Sequence, residues 1–296
     1  MGSFTKKKLK VTIALGNKDD RFDDKNNNVI VVEGLRISAT IQSGNGAPFP
    51  TAKMMIYGLS GNVMDKLARI QWHIKQGHLN LVRLEASRDG GESYTVVHSG
   101  TINFAYPNFG SAPDSILTID SLTGYHHQIL PVKPLSLKGE VDVSNAISKI
   151  CRSMGMRFEN SGVTGRVSNP YLPQSALEQI KNLCDAVDAN MILENDAVAI
   201  VPRGQSRKIN IPVISPQSGL IGYPTPTMQG VSFQCLFDPL IKMHGNIEIK
   251  NSFIDSTNGT WHVFGLTHYL ESEISGGRWL SEVDANRSSE EVKVAK

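Results

Sequence analysis

Long apolar runs, paired cysteines and an excess of one charge are all missing from this 296-residue sequence. No stretch approaches the roughly 18 consecutive apolar residues that a membrane-spanning helix needs. The basic N-terminus has only a short apolar stretch, interrupted by Lys10, and no small-residue cleavage site, so it does not resemble a signal peptide. These absences predict a protein without membrane insertion that is made and assembled in the cytoplasm.

The three cysteines are Cys151, Cys184 and Cys235, and they form no CxxC pair. Cys151 and Cys184 fall on the apolar stripes of two predicted helices, which is typical of small buried hydrophobes. The net charge is only +2, from 30 basic and 28 acidic residues. A dedicated nucleic-acid binder usually has a strongly basic face, so this balance does not favour one.

Motifs for catalysis and cofactor binding are also missing. The sequence contains no HExxH, GxSxG or GxxxxGK[ST]. Gly44-Asn45-Gly46 begins like a dinucleotide fingerprint, but the third glycine is missing and Pro48 and Pro50 oppose the helix that should follow. The pair His126-His127 is predicted to be extended, which would point the two rings to opposite sides and prevent chelation of one metal. We therefore predict no catalytic, cofactor-binding or metal-binding residues.

Two further arrangements are better explained by structure than by chemistry. Asp185 and Asp188 could share a helix face, as paired general acids require, but carboxylates on a helix exterior usually serve solvation. Trp72, Trp261 and Trp279 do not cluster with basic residues as a stacking platform for single-stranded nucleic acid would.

The first 125 residues or so predict a β-rich region with one helix. Runs rich in β-branched residues, some alternating apolar with polar side chains, predict strands at residues 9–15, 29–41, 52–57, 79–86, 94–104 and 115–122. Asp89-Gly90-Gly91 between two of these runs indicates a hairpin. After the candidate N-cap Ser60, apolar residues recur at helical spacing, namely Val63, Met64, Leu67, Ile70 and Ile74, and Gly77 follows the predicted end.

From about residue 131 the pattern becomes that of a small α+β region. Asp142 is the predicted N-cap of one helix, and Ser175 with Glu178 forms the predicted capping box of a second. Residues 190–194 and 197–201 then predict a short β-hairpin.

The last region is again rich in β-branched residues. Its predicted strands are residues 209–214, 231–237, 246–250, 260–271 and 279–283. Between the first two lies a segment rich in proline and glycine, residues 215–227, which we predict to be an exposed loop of fixed shape. We take it as a candidate assembly contact through Ser215, Gly219, Leu220, Tyr223 and Pro224.

Three segments of the chain resemble the baseplate hub proteins of contractile bacteriophage tails, the family of late-control protein D and the trimeric tail hubs. The first runs from Tyr57-Gly58-Leu59-Ser60 through a helix and a hairpin to Gly100-Thr101-Ile102. The second has a helix ending in Met154-Gly155 and then a Pro-Tyr-Leu stretch before a capped helix. The third has a Gly-x-Pro segment that leads into Leu236-Phe237-Asp238-Pro239, followed by a Gly-Gly-x-Trp turn near the end.

The resemblance implies an α+β, mainly β fold. In it, two tube-type β-barrel or sandwich domains, residues 1–127 and 208–285, flank a small α+β insert at residues 128–207, and residues 286–296 form a flexible tail. It also implies a structural virion protein of the tail baseplate that is not an enzyme and needs no cofactor.

The partners that the resemblance implies are those of a tail hub. The chain would form a homotrimer whose pseudo-sixfold ring joins the tail tube to the central spike and lines the DNA channel. It would contact the tail tube protein, the central spike protein, other baseplate proteins and the tape measure protein. DNA would pass through the lumen without specific binding, and assembly would take place in the host cytoplasm.

Three other functions stay open at this point. A tail-associated cell-wall hydrolase or peptidase would need a catalytic domain and an acid pair in a cleft. A receptor- or carbohydrate-binding tail module should have clustered aromatic side chains, whereas the tryptophans here are scattered. A tail-tube or tube-initiator protein needs only one β domain and leaves the α+β insert unexplained.

Overall fold

A computed structural model describes residues 6–16, 21–22, 27–44, 49–70, 79–110 and 114–287, without the side chains of residues 69 and 70. The strands are β1 (Lys8–Ala14), β2 (Val29–Glu33), β3 (Ile37–Gly44), β4 (Thr51–Tyr57), β5 (Leu81–Ser87), β6 (Thr95–Asn108), β7 (Ile116–Leu122), β8 (Leu135–Ser136), β9 (Glu140–Asp142), β10 (Arg157–Asn160), β11 (Arg166–Ser168), β12 (Tyr171–Leu172), β13 (Ala189–Glu194), β14 (Ala197–Pro202), β15 (Val213–Ile214), β16 (Leu220–Thr227), β17 (Gly230–Leu236), β18 (Asn246–Ile249), β19 (Gly259–Ser272) and β20 (Trp279–Arg287). The helices are α1 (Gly61–Ile70), α2 (Tyr125–Ile129), α3 (Val143–Ser153) and α4 (Ala176–Asp185), and a 3₁₀ turn spans Asp255–Thr257. The predicted α+β, mainly β class is confirmed. No helix in the described ranges is long and apolar enough to cross a membrane.

The chain divides into two compact units. Unit 1 comprises Met1–Ser43, Phe49–Thr123 and Thr267–Ser281, and unit 2 comprises Gly44–Pro48, Gly124–Leu266 and Glu282–Lys296. Strands β19 and β20 therefore each contribute residues to both units. The three predicted domains with boundaries near residues 127, 207 and 285 stay a prediction.

Unit 1 is built on an antiparallel sheet in the order β3-β4-β7-β6-β5-β1-β2. Alternation along the strands creates one buried face, because successive side chains point to opposite sides. In β1, for example, Leu9, Val11 and Ile13 are buried, and Val11 lies opposite Leu84 of β5. Helix α1 adds the buried side chains of Met64 and Leu67. Each such large apolar side chain contributes roughly 1.5–3 kcal/mol when it leaves water.

One predicted strand of unit 1 is wrong. Residues 29–41 form two strands, β2 and β3, because Gly34 turns the chain with φ +76°. Only glycine adopts that backbone conformation without steric cost. The predicted hairpin is confirmed, since Gly90 and Gly91 both have positive φ between β5 and β6. Trp72, Ile74 and Gly77 lie outside the described residues.

Helices α3 and α4 of unit 2 accompany a three-stranded sheet in the order β10-β14-β13. The predicted cap at Asp142 is confirmed, because its carboxylate accepts a hydrogen bond from the Asn145 amide at 2.8 Å. The predicted capping box at Ser175 is wrong. Ser175 precedes α4, but its backbone carbonyl accepts from the Gln179 amide while its hydroxyl, buried, has no hydrogen-bond partner within the described part of the chain.

The rest of unit 2 is a sheet in the order β16-β17-β20-β19-β18-β15. Its core is apolar, and the buried members include Ile214, Val231, Phe233, Cys235, Ile247, Ile249, Trp261 and Val263. The strand predicted at residues 209–214 is wrong except at its end, where Val213 and Ile214 pair with β18 in parallel. Pro212 has no N–H to donate to a ladder, and its carbonyl accepts from the Glu248 amide.

Candidate assembly surface

The segment predicted as a loop at residues 215–227 is only partly a loop. A turn held by the Ser215 amide, which donates to Ser218 Oγ at 2.8 Å, comes first. Residues 220–227 then form strand β16, so the loop prediction is wrong there. Prolines are typical of loops, but an edge strand accepts them because one side of its backbone needs no ladder partner.

The five residues predicted to make an assembly contact differ in their exposure to solvent. Ser215, Leu220 and Pro224 are buried, and a Cβ on Gly219 would lie 3.0 Å from Leu236 Cβ. Of these five residues only Tyr223 presents a large exposed side chain, 62% accessible. The contact role of the segment stays a prediction, and Tyr223 is where it can be tested.

Strand β16 is an edge strand that contains two prolines. In the described residues it pairs only with β17, with a bulge between Ile221 and Thr225. Pro226 lies opposite Val231 and has no N–H to donate to a neighbouring strand on either side. Pro224 lies within the bulge, is buried and also lacks an N–H. A strand added to this edge would therefore form a weakened ladder.

The side chains beside this edge are exposed and uncharged. The rings of Tyr223 and Phe253 lie 5.6 Å apart at 49°, and Phe253 is 83% exposed. With the exposed Ile221 they form what we call the Tyr223 ledge. The whole stretch from residue 209 to residue 237 contains no Asp, Glu, Lys, Arg or His. The strand that carries Ile221 and Tyr223 thus brings no formal charge, whereas Phe253 lies two residues before the exposed Asp255.

Unit 1 has a different edge at strand β2. Within the described ranges β2 pairs only with β1, and it contains no proline. Alternate backbone N–H and C=O groups of such a strand are open to pairing with another chain. Val31 on this strand is 57% exposed, and the register places Val29, Ala14 and Leu81 in one row across β2, β1 and β5.

This row belongs to the face of unit 1 that lies opposite its core. The register continues from Leu81 to Thr101 and Leu122, and the next row contains Phe104, Asp120 and Lys53. We call the exposed apolar residues on this side the outer face of unit 1, defined by Val29, Val31, Leu81, Phe104 and Tyr106. The rings of Phe104 and Tyr106 lie 5.2 Å apart.

Glu33, Lys10 and Glu85 form a group of charges on the outer face. Glu33, Lys10 and Glu85 lie in one register row, and Lys10 Nζ is 3.0 Å from the Glu85 carboxylate. Tyr94 donates its hydroxyl to Glu33 at 2.7 Å, and Lys10 lies over its ring. Burial and the hydrogen bond to Glu33 raise the pKa of Tyr94 to about 12, so it stays a donor at neutral pH.

A buried ionic cluster in unit 2 joins segments that are distant in sequence. The Arg207 side chain, 5% exposed, donates from Nε and Nη2 to the two oxygens of Glu159, at 3.0 and 2.7 Å. Its Nη1 donates to Glu194 at 2.8 Å, and Lys242 also pairs with Glu194. The hydrogen bond from Arg207 lowers the pKa of Glu159. Burial acts to raise the pKa of Glu194, but Lys242 and Arg207 outweigh it, so that pKa is also lowered.

A histidine pair lies next to this cluster. Ser206 Oγ is 2.8 Å from His262 Nδ1, and His262 Nε2 is 3.2 Å from His244 Nδ1. Burial, with smaller effects of His262 and Arg207, lowers the pKa of His244 to about 4. Burial also lowers the pKa of His262, so both rings are neutral at pH 7. Among the described residues no group of three or more His, Cys, Asp or Glu could hold a metal ion.

The remaining predicted features have structural explanations. His126 and His127 lie in helix α2 with their rings 5.3 Å apart, so the prediction that they are extended is wrong. Gly124 begins that helix with φ +75°, a signal that the sequence reading missed. Asp185 ends α4 and Asp188 lies beyond it with φ 54°, and both exposed carboxylates contact Arg203.

The cysteines and two tryptophans belong to the core. Cys151, Cys184 and Cys235 are buried free thiols, and the predicted burial of Cys151 and Cys184 is confirmed. Trp261 and Trp279 are buried too, and the Trp261 indole donates to the Thr257 carbonyl at 2.8 Å while Arg287 lies over its ring.

Comparison with known protein families identifies the chain. The family described as baseplate hub gp41 matches residues 8–275. The chain belongs to the baseplate hub gp41 family. The hub is therefore a structural component of the bacteriophage tail baseplate and part of the virion, and the resemblance found in its sequence is confirmed. No curated protein matches the hub in sequence.

Solved structures share the fold of the hub at very low sequence identity. A tail protein from Neisseria meningitidis is 10% identical with a TM-score of 0.57, over 94% of the hub and 96% of that chain. The 43 kDa tail protein of prophage MuSo2 from Shewanella oneidensis is 7% identical with a TM-score of 0.59, over 94% and 97%. A type VI secretion component of E. coli is 8% identical with a TM-score of 0.55, over 86% and 74%. These similarities are evidence for the fold alone.

Proposed function

We propose that the hub forms a homotrimer whose pseudo-sixfold ring joins the tail tube to the central spike and lines the DNA channel, without acting as an enzyme. The observation that carries this proposal is strand β2, which pairs only with β1 in the described residues and has Val31 exposed beside its open edge. A closed ring needs a surface on each copy that fits a different surface on the next copy. An open strand edge is one such surface, and leaving it bare would favour unspecific aggregation.

Further partners follow from the position of a hub. The tail tube protein, the central spike protein, other baseplate proteins and the tape measure protein would contact the ring, which assembles in the host cytoplasm. The similar E. coli type VI component is described as resembling the T4 tail proteins gp27 and gp5, which supports a place at a tube-to-spike junction.

DNA would pass through the ring without specific binding. Each phosphate contact strengthens binding and would slow passage. The net charge of +2 over 296 residues agrees with a lumen that does not retain DNA.

Native mass spectrometry of the full chain tests the proposal. We expect a trimer for the unmodified protein and loss of trimer for Val31→Lys, because a charged side chain on an edge strand opposes strand addition. Tyr171→Lys is the matched control, since Tyr171 is about as exposed as Val31 but lies neither on the outer face of unit 1 nor on the Tyr223 ledge. A stable monomer under every condition, including with spike protein present, would refute the trimer.

A further inference from the structure

One turn of unit 2, residues 242–245, joins two apolar cores. It lies between β17 and β18. Its Met243 packs both against the core of the main sheet of unit 2 and against the smaller core of Ile192, Ala199 and Val201. The next residue, His244, has φ 56°, a backbone conformation that histidine adopts more readily than most side chains do. Any opening of this turn would therefore withdraw Met243 from both cores.

Three backbone hydrogen bonds hold the turn in place. The His244 amide donates to the Val263 carbonyl at 2.9 Å, and the Val263 amide donates to the Gly245 carbonyl at 3.0 Å. The Arg207 amide donates to the His244 carbonyl at 2.7 Å. These bonds fasten the turn to β19 and to the segment before β15. Because an amide exchanges its hydrogen when such a bond opens, these three amides report on the state of the turn.

A chain of side-chain hydrogen bonds fixes where the hydrogens of His244 and His262 lie. Ser206 donates its hydroxyl to Asn246 Oδ1 at 2.6 Å. Its oxygen then accepts the Nδ1–H of His262 at 2.8 Å. The neutral ring of His262 has no hydrogen on Nε2, so this nitrogen accepts the Nδ1–H of His244 at 3.2 Å. Every bond of the chain is thus made with both rings neutral.

The bond between the two rings tolerates one added proton but not two. With one proton, His262 donates from Nε2, provided that His244 moves its own hydrogen to its other nitrogen. With two protons, both nitrogens that face each other across 3.2 Å carry a hydrogen and neither can accept. Both rings are then also positive, and like charges at short range disfavour this state.

The charged groups near the rings offer no compensation for that charge. They are carried by the turn, the segment before β15 and the adjoining strands, and comprise Lys242, Arg207, Glu159, Glu194, Glu248, Lys250, Glu282, Asp284 and Arg287. Glu159 and Glu194 bind Arg207 and Lys242, and Glu248 binds Lys250 at 2.9 Å. In the part of the chain that the structure describes, no carboxylate forms a hydrogen bond with either ring. Protons therefore favour a form of the turn in which the rings reach water.

We propose that the bond between His244 and His262 is an acid-released latch, which closes the 242–245 turn at neutral pH and opens it when the pair takes up two protons. The pairs of Arg207 and Lys242 with the two glutamates last to lower pH, because the pKa values of Glu159 and Glu194 lie below 4.5. They tether the turn while the latch is open, so the opening is reversible. The latch belongs to unit 2 of one chain and does not depend on the proposed trimer.

Hydrogen exchange of the full chain at pH 7 and pH 5 tests the latch. The pKa of His244 is lowered to about 4 in the closed turn, and that of a histidine in water is about 6.5. Protection of the Arg207, His244 and Val263 amides, corrected for intrinsic exchange, should therefore fall about 20-fold or more from pH 7 to pH 5. It should return at pH 7. The Ser161 amide, which donates to Ile200 in the small sheet of unit 2, should change much less.

A double variant removes both titrating rings. In His244→Asn with His262→Gln, protection of the turn should change less than about threefold between pH 7 and pH 5. Asparagine is chosen at position 244 because it also accepts positive φ. His98→Gln is the matched control, because His98 is a buried histidine of unit 1 that also bonds a serine, Ser121. That variant should keep the acid response of the turn.

Nitrogen-15 spectra of the histidine rings in the unmodified hub add a readout that needs no stable double variant. At pH 7 both His244 and His262 should carry their hydrogen on Nδ1. A hydrogen on Nε2 of His262 at that pH would contradict the chain of bonds and the latch with it.

The exchange outcomes decide the proposal. Unchanged protection of the turn between pH 7 and pH 5 in the unmodified hub would overturn it. An equal fall in the double variant would do the same, because acid would then act without the pair. A loss at Ser161 as large as that at His244 would mean that all of unit 2 opens, and a local latch would be wrong.

Discussion

Replacing Arg207 with methionine is expected to destabilise unit 2 of the hub by about 2–3 kcal/mol. The Arg207 side chain contacts both Glu159 and Glu194, and it is 5% exposed. Methionine fills a similar volume but leaves two carboxylates without their guanidinium. The ionic cluster then holds negative charge on Glu159 and Glu194 that Arg207 no longer compensates.

The magnitude follows from how far water can reach those carboxylates. Breaking a fully buried ion pair by removing one partner typically costs about 3–5 kcal/mol. Here the side chains of Glu159 and Glu194 are 36% and 25% exposed, and Lys242 still pairs with Glu194. Partial rehydration and the remaining lysine place the expected loss below that range.

Arg203→Met is the matched control for this change. Arg203 also pairs with two carboxylates, those of Asp185 and Asp188, but its side chain is 56% exposed and theirs are 54% and 76% exposed. Surface ion pairs contribute about 0–1 kcal/mol, so this variant should stay close to the unmodified hub. The same substitution in the two settings isolates the effect of burial.

Urea unfolding at pH 7, with hydrogen exchange across β13 and β14, measures the stability of both variants relative to the unmodified hub. The pKa values of Glu159 and Glu194 are both below their ordinary value of 4.5, so their pairing with Arg207 stabilises the fold fully above that pH. The stabilisation is lost as the pH falls through the lowered values, and the gap between the variant and the unmodified hub should shrink in acid. An Arg207→Met hub no less stable than the Arg203→Met hub would refute this reasoning.

Three other predictions follow from buried or constrained residues. Burial lowers the pKa of His98 to about 4, so the unfolded chain binds its proton first and this residue should lower stability by up to about 3 kcal/mol between pH 6.5 and pH 4. In urea titrations the stability of His98→Gln should therefore fall less steeply over this range than that of the unmodified hub. Gly230 has φ +149° and a Cβ there would lie 2.1 Å from the Ala285 carbonyl oxygen, so Gly230→Ala should cost more than about 2 kcal/mol by thermal unfolding, whereas Gly34→Ala, with nothing within 4 Å, should cost about 1 kcal/mol. Burial raises the pKa of Cys151 to about 11 and those of Cys184 and Cys235 to about 12, so a thiol reagent at pH 8 should modify all three only after urea unfolding; rapid modification of the native hub would contradict their burial.

The sequence predicts an element correctly where residues close together in the chain decide its structure. The strand predicted at residues 9–15, observed as β1, and the cap at Asp142 both depend on residues within a few positions, and both are confirmed. Strand β16 was misread because its prolines are typical of loops, and only its place at a sheet edge makes them compatible with a strand. The helix at His126-His127 was missed because five residues provide little periodicity.

The ionic cluster around Arg207 and the Tyr223 ledge were harder to predict, because the residues of each are far apart in the sequence. Arg207 bonds residues 48 and 13 positions away, and no spacing rule brings them together. Tyr223 was singled out by the sequence, but Phe253, whose ring completes the ledge, was not. The absence of charge from residue 209 to residue 237 was the signal that could have indicated an apolar surface there.

The prolines of β16 also bear on how the hub behaves before it is assembled. In polymer chemistry, a monomer with two reactive ends grows into a chain, whereas a monomer with one reactive end can only form a pair and stop. Strand β2 is a reactive edge in this sense, and β16 is a poorer one because Pro226 has no N–H to donate. Pairing from β2 to β16, copy after copy, would form a weakened ladder, which disfavours the growth of newly made hub into fibres.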